Sequence, residues 1–73
     1  MSRSIKSYNN HIYPLSAVKY AIIAYAEIAK IQVKTVADEN ICTFTEKEIP
    51  IQLVIREFGN YLIEILNNNH GVL

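Results

Sequence analysis

A chain of 73 residues forms one domain, 1–73, with an expected ordered core over about 3–67 and a polar tail over 67–73. Its 51% hydrophobic content excludes intrinsic disorder, and 7 basic against 7 acidic side chains leave no cationic surplus for nucleic acid. No apolar run reaches about 18 residues without a charge, and the start of the chain lacks an apolar leader stretch, so neither a transmembrane helix nor a signal peptide is expected.

The first expected element is a strand over Arg3 to Tyr8, left through a turn at Asn9-Asn10-His11. Leu15 to Lys30 then reads as a helix, with good helix formers, no Gly, and Pro14 suited to its first turn. On that helix Ser16, Lys19, Glu27 and Lys30 fall within an arc of roughly 80°. Ile23 lies inside this polar arc and Tyr20 at its border. Either they are single exposed hydrophobes or the helix is covered from a second side.

Ile31 to Val36 is rich in β-branched residues and reads as a strand. Ala37-Asp38-Glu39-Asn40 reads as a turn, with Asn40 suited to a left-handed backbone, and Ile41 to Thr45 as the returning strand. The last element is a helix from about Pro50 to Leu66. Thr45 with Glu48 three residues on has the form of a capping box for it. Val54, Phe58, Leu62 and Ile65 share its apolar face, while Leu53 and Ile63 interrupt its polar side. Gly59 costs about 1 kcal/mol relative to Ala unless a close approach requires it. Asn67-Asn68-Asn69-His70-Gly71 ends the helix.

The order β-α-β-β-α predicts an α+β fold. A right-handed crossover sets the first two strands parallel, and the hairpin adds an antiparallel neighbour. The result is a three-stranded sheet with two helices on one face, a ferredoxin-like pattern without its last strand. A strand order of 1-3-2 would leave Ile31 to Val36 at an edge and the helix-free face open.

Catalytic constellations are absent from the sequence. Gly59 and Gly71 form no phosphate loop, and His11 and His70 lie at opposite ends with no metal-ligand spacing around them. Cys42 with His11 as base is a conceivable nucleophile pair, but a strand cysteine is more commonly an inert buried thiol. A single cysteine also fits a reducing, cytoplasmic setting. Asp38-Glu39 and the pair Glu46, Glu48 are read as solvated turn and helix-start acids. No enzyme activity, cofactor or metal is expected. Five tyrosines are many for this length. Tyr25 and Tyr61 fall on core faces, whereas Tyr8, Tyr13 and Tyr20 are candidates for a contact surface.

The run Ile12-Tyr13-Pro14-Leu15-Ser16-Ala17-Val18-Lys19-Tyr20-Ala21, together with Glu57-Phe58-Gly59-Asn60 in the last helix, resembles the HxsD family of the bacterial His-Xaa-Ser system. The matching positions are Tyr13, Pro14, Phe58 and Asn60. That family's last helix typically goes on to a Leu-rich stretch and Leu-Arg, where this chain has Tyr61-Leu62-Ile63-Glu64-Ile65-Leu66. The resemblance implies a non-catalytic accessory protein acting beside radical-SAM maturases and a repeat-containing peptide.

A core of this size rarely supplies more than about 3–5 kcal/mol, so added burial against a partner or a second copy is a natural expectation. The expected function is a binding module working through protein or peptide contacts, with Tyr8, Tyr13, Tyr20, Ile23, Gln32 and Lys34 as candidate contact residues. The receiving edge would be Ile31 to Val36 or Arg3 to Tyr8. The alternative is an obligate homo-oligomer, such as a homodimer, with no ligand of its own. Neither nucleic acid nor a membrane is expected as partner.

Overall fold

A computed structural model describes residues 2–67. The polar run from Asn68 to Gly71 and the rest of the expected tail lie outside the described residues. The order is β1 (Arg3–Asn9), α1 (Leu15–Ala24), β2 (Ala29–Val36), β3 (Glu39–Glu46) and α2 (Ile51–Asn67). The sheet runs β1-β3-β2, and both outer strands are antiparallel to β3. β1 and β2 are therefore parallel to each other, as the βαβ crossover requires. This is the expected α+β arrangement, consistent with a small ferredoxin-like fold.

Residues directly opposite in the ladders share a face. Tyr8, Asn40 and Thr35 form one inward row, Lys6, Cys42 and Val33 the next, and Ser4, Phe44 and Ile31 a third. The helices cover the centre of this face, over Asn40, Cys42 and Phe44, while Lys6 and Thr35 on the outer strands stay exposed. Val18 and Ala21 of α1 and Val54, Phe58 and Leu62 of α2 are buried against that centre. Phe58 is the hub of the core. The rings of Phe44, Tyr25 and Tyr8 lie 5.1, 5.7 and 6.0 Å from its own, and each pair is inclined rather than stacked. Aromatic pairs tilted in this way contribute beyond their buried area.

Both helices start on a proline that follows a half-buried apolar residue. The Pro14 carbonyl accepts the N–H groups of Ala17 and Val18, and the Pro50 carbonyl accepts those of Leu53 and Val54. Pro14 thus stands at the N-cap rather than inside the first turn. The bonds from Ala17 and Leu53 satisfy one first-turn donor of each helix, and those from Val18 and Val54 are the first ordinary helix bonds.

Three expectations about local structure are corrected. First, α1 stops at Ala24 and does not run to Lys30. The segment 25–30 contains no helix breaker, so its sequence alone carries no stop signal. Tertiary contacts end the helix. Tyr25 packs edge-on against Phe58 and donates its hydroxyl to the Glu57 carbonyl at 3.0 Å. Ala29 and Lys30 then pair with Glu46 and Thr45 in the sheet. Second, the left-handed turn residue is Ala37, at φ 55, while Asn40 is a strand residue. Third, Thr45 and Glu48 form no capping box. β3 continues through Glu46, whose Oε1 accepts the Ile51 N–H at 3.1 Å.

Gly59 serves no close approach, because a Cβ at that position would meet nothing within 4 Å.

Candidate functional site

The open surfaces follow from the strand order. With β3 in the centre, one long edge of β1 and one of β2 are free among the described residues. On the helix-free face four rows run across the sheet: Arg3, Thr45, Lys30; Ile5, Thr43, Gln32; Ser7, Ile41, Lys34; Asn9, Glu39, Val36. Three cations stand on this face. Its single acid, Glu39, accepts hydrogen bonds from Ser7 Oγ at 2.6 Å and Asn9 Nδ2 at 3.3 Å, both from β1. The cationic charge is therefore unbalanced toward the β2 side.

The β2 edge has a second feature. Because α1 ends early, the chain turns through Tyr25 to Ile28 and leaves a groove beside the start of β2. Ile22, Ala26, Ala29, Lys30, Ile31 and Lys47 line it, and it measures about 260 Å³. Lys47 Nζ donates to the Ala26 carbonyl at 3.0 Å, which holds the ammonium at the rim. Glu27 and Glu48 lie in the neighbouring loops, around a separate hollow of about 170 Å³ that also touches Lys47.

The six candidate contact residues separate into three places. Gln32 and Lys34 are exposed on the outward side of the β2 edge. Ile23 and Tyr20 are exposed on the outer side of α1, at 75% and 45%, and the Tyr20 ring stacks on Tyr61 with centroids 6.4 Å apart. Tyr8 and Tyr13 belong to the interior. Tyr8 is only 7% exposed, so it is a core residue and not part of a contact surface. Its inward position follows from β1 register, which sets it opposite Asn40 under the helices. Tyr13 is half-buried, edge-on to Tyr8 at 5.5 Å. Of the positions that carry the HxsD resemblance, Phe58 is buried and Tyr13 half-buried, while Pro14 and Asn60 are exposed.

Sequence reading missed the most constrained polar group. Asn40 is fully buried, and its Nδ2 donates to Asn10 Oδ1 at 3.0 Å and to the Tyr13 carbonyl at 2.8 Å. Its Oδ1 accepts from Thr35 Oγ1 at 2.8 Å. This one carboxamide ties β3 to β2 and to the loop that launches α1. The signal was its parity with Cys42 and Phe44, the inward residues of the same strand.

The conceivable nucleophile pair of Cys42 and His11 is split between two different environments. Cys42 is fully buried, and desolvation pushes its thiol up to about 11. His11 is in a different environment, 74% exposed, with its Nε2 3.5 Å from Asp38 Oδ1. Tyr8 Oη is buried without a hydrogen-bond partner among the described residues, and its proton is held more tightly for the same reason. Among those residues no cluster of His, Cys, Asp and Glu could hold a metal ion, and no helix is long and apolar enough to cross a membrane. No family model, curated protein or solved structure matches the chain.

Proposed function

We propose that the protein is a small non-catalytic binding module that takes an extended protein or peptide segment along the free edge of β2. The observation that carries this reading is the pairing of an eight-residue edge strand with an apolar groove beside it. Backbone groups on the free edge supply affinity, and the groove supplies side-chain choice. The inaccessible thiol argues against nucleophilic chemistry. The resemblance of the Tyr13-Pro14 and Phe58 to Asn60 motifs gives the module a context, that of an HxsD-like cytoplasmic accessory protein in bacterial peptide modification. Sequencing the genes on either side tests that context: radical-SAM maturase genes there would support it, and their absence would count against it.

Proline tests the edge. Proline is tolerated where an edge amide faces solvent but cannot donate to an added strand. Gln32→Pro, Val33→Pro and Lys34→Pro cover both alternating sets of amides. A fluorescent peptide of alternating valine and serine is the probe, and circular dichroism confirms that each variant folds. Loss of binding in a folded variant supports the reading, and full binding by every folded variant overturns it.

A second reading rests on the outer side of the helices. Ile23 at 75%, Ile63 at 47% and Leu53 at 38% exposure favour a homo-oligomer that buries them. Light scattering over a roughly hundredfold concentration range tests it, since self-association shifts with concentration. A dimer that Ile23→Glu dissociates supports this reading, and a monomer throughout removes it.

A further inference from the structure

We infer that the segment received by β2 is acidic, an extended strand in which apolar residues alternate with Asp or Glu. This rests on the edge-strand reading above and specifies its partner.

The argument is one of alternation and charge. Side chains of an added strand point alternately to the two faces of the sheet. On the helix side they lie beside Ile31 and Val33 and enter the groove walled by Ile22, Ala26 and Ala29. On the open side they lie beside Lys30, Gln32 and Lys34, all exposed. β2 contains no Asp or Glu, and the single acid of the open-face rows, Glu39 at the end of the central strand, accepts hydrogen bonds from Ser7 and Asn9 of β1. Lys47 at the groove rim is accompanied by Glu27 and Glu48 around the neighbouring hollow, so the cationic bias rests on Lys30 and Lys34. A strand with apolar residues on one side and carboxylates on the other complements both surfaces at once.

A second copy of this chain does not fit. Two β2 edges paired antiparallel about Gln32 would set Lys30 of one copy across from Lys34 of the other, twice. Pairing β2 with β1 of another copy, open face to open face, would bring Arg3 toward the same lysines. Like charges directly opposite are destabilising, and lysines on an edge strand work against self-pairing.

The test uses three synthetic peptides of roughly eight residues, about the length of a strand. They alternate valine with glutamate, with serine, or with lysine. The glutamate peptide is expected to bind at least about tenfold more tightly than the serine peptide at low salt, with the advantage shrinking as salt screens it. The lysine peptide is expected not to bind. The double variant Lys30→Glu, Lys34→Glu is expected to reverse that order. Equal binding of the glutamate and serine peptides, unchanged in the double variant, overturns the acidic preference and leaves edge binding standing. Binding of none of the three, or binding indifferent to Pro anywhere in β2, overturns the edge reading itself. A dimer joined through β2, detected as loss of mass in the Pro variants, assigns the edge to a second copy and also overturns the proposal.

Discussion

The Asn40 carboxamide donates to the Tyr13 carbonyl at 2.8 Å across a sequence separation of 27 residues. This bond joins the hairpin to the corner where β1 gives way to α1. The same side chain also serves Asn10 and Thr35, so both amide hydrogens and the oxygen are used. Asn40→Ala would leave two half-buried partners, Asn10 Oδ1 and the Tyr13 carbonyl, and the hydroxyl of the exposed Thr35 without this bond. A loss of about 2–3 kcal/mol is expected, as a lower urea midpoint. Asn40→Asp discriminates further, because its side chain would face two acceptors and fold only when protonated. Its carboxyl would then be raised in the folded state, so the variant's stability would be present at low pH and lost as pH rises. A variant whose urea midpoint is unchanged would show that the network contributes nothing.

Gly59 lies within α2, and a Cβ there meets open space. Gly59→Ala is therefore expected to stabilise the protein by about 1 kcal/mol, through helix propensity and a less flexible unfolded chain. The urea midpoint should rise with an unchanged slope. A fall would mean that another molecule packs closely on that side of α2.

The element order was legible because the strands are β-branched and the helix periodicity of α2 is strong, whereas the strand order β1-β3-β2 was not fixed, since short connections allow three strands more than one arrangement. The end of α1 was not legible. Ala24 to Lys30 is made of residues a helix accepts, and what stops it is the docking of Tyr25 on Phe58 and the pairing of Ala29 with Glu46, neither of which is local. That misreading hid the groove, since Ala26 and Ala29 line it only because the helix has ended. Asn40 and Tyr8 were misplaced for a related reason. One has turn propensity and the other sits in a polar strand, and only the register turns both inward. Gln32 and Lys34 were legible as strand residues, but their place at an edge depended on a strand order of 1-3-2 that crossover handedness alone does not select. The cationic bias of the open face was not legible, since it depends on which residues stand in the same rows.

The two buried acidic protons give stability a pH dependence on the alkaline side. In the unfolded chain the Cys42 thiol loses its proton near its ordinary value of 9.0, whereas burial holds it to about 11 in the folded protein. Over that window the unfolded state binds fewer protons, so stability falls as pH rises. The contribution is fully present below the lower value and gone above the upper one. Tyr8 acts in the same sense, starting from its ordinary 10.0 and extending to higher pH, again through desolvation. Urea midpoints across this range should decline in the native protein. Cys42→Ala should flatten the first part of the decline and Tyr8→Phe the later part. Tyr8→Phe should also leave stability at neutral pH unchanged or improved, because it removes a buried hydroxyl that has no partner.

The start of α2 makes a last, separable prediction. Glu46 closes β3 opposite Ala29 and returns its Oε1 to the Ile51 N–H at 3.1 Å. It therefore acts as both a sheet terminus and a helix cap, and its negative charge lies at the positive end of the helix dipole. Glu46→Ala is expected to cost about 0.5–2 kcal/mol, the usual range for a lost cap. Glu46→Gln keeps an acceptor and should recover most of that loss, with the remainder reporting the charge. Thr45→Ala and Glu48→Ala, which would matter equally if those two residues formed a capping box, should leave the cap intact. Thermal unfolding of the four variants decides between the arrangements, and a larger loss for Glu48→Ala than for Glu46→Ala would reverse the assignment.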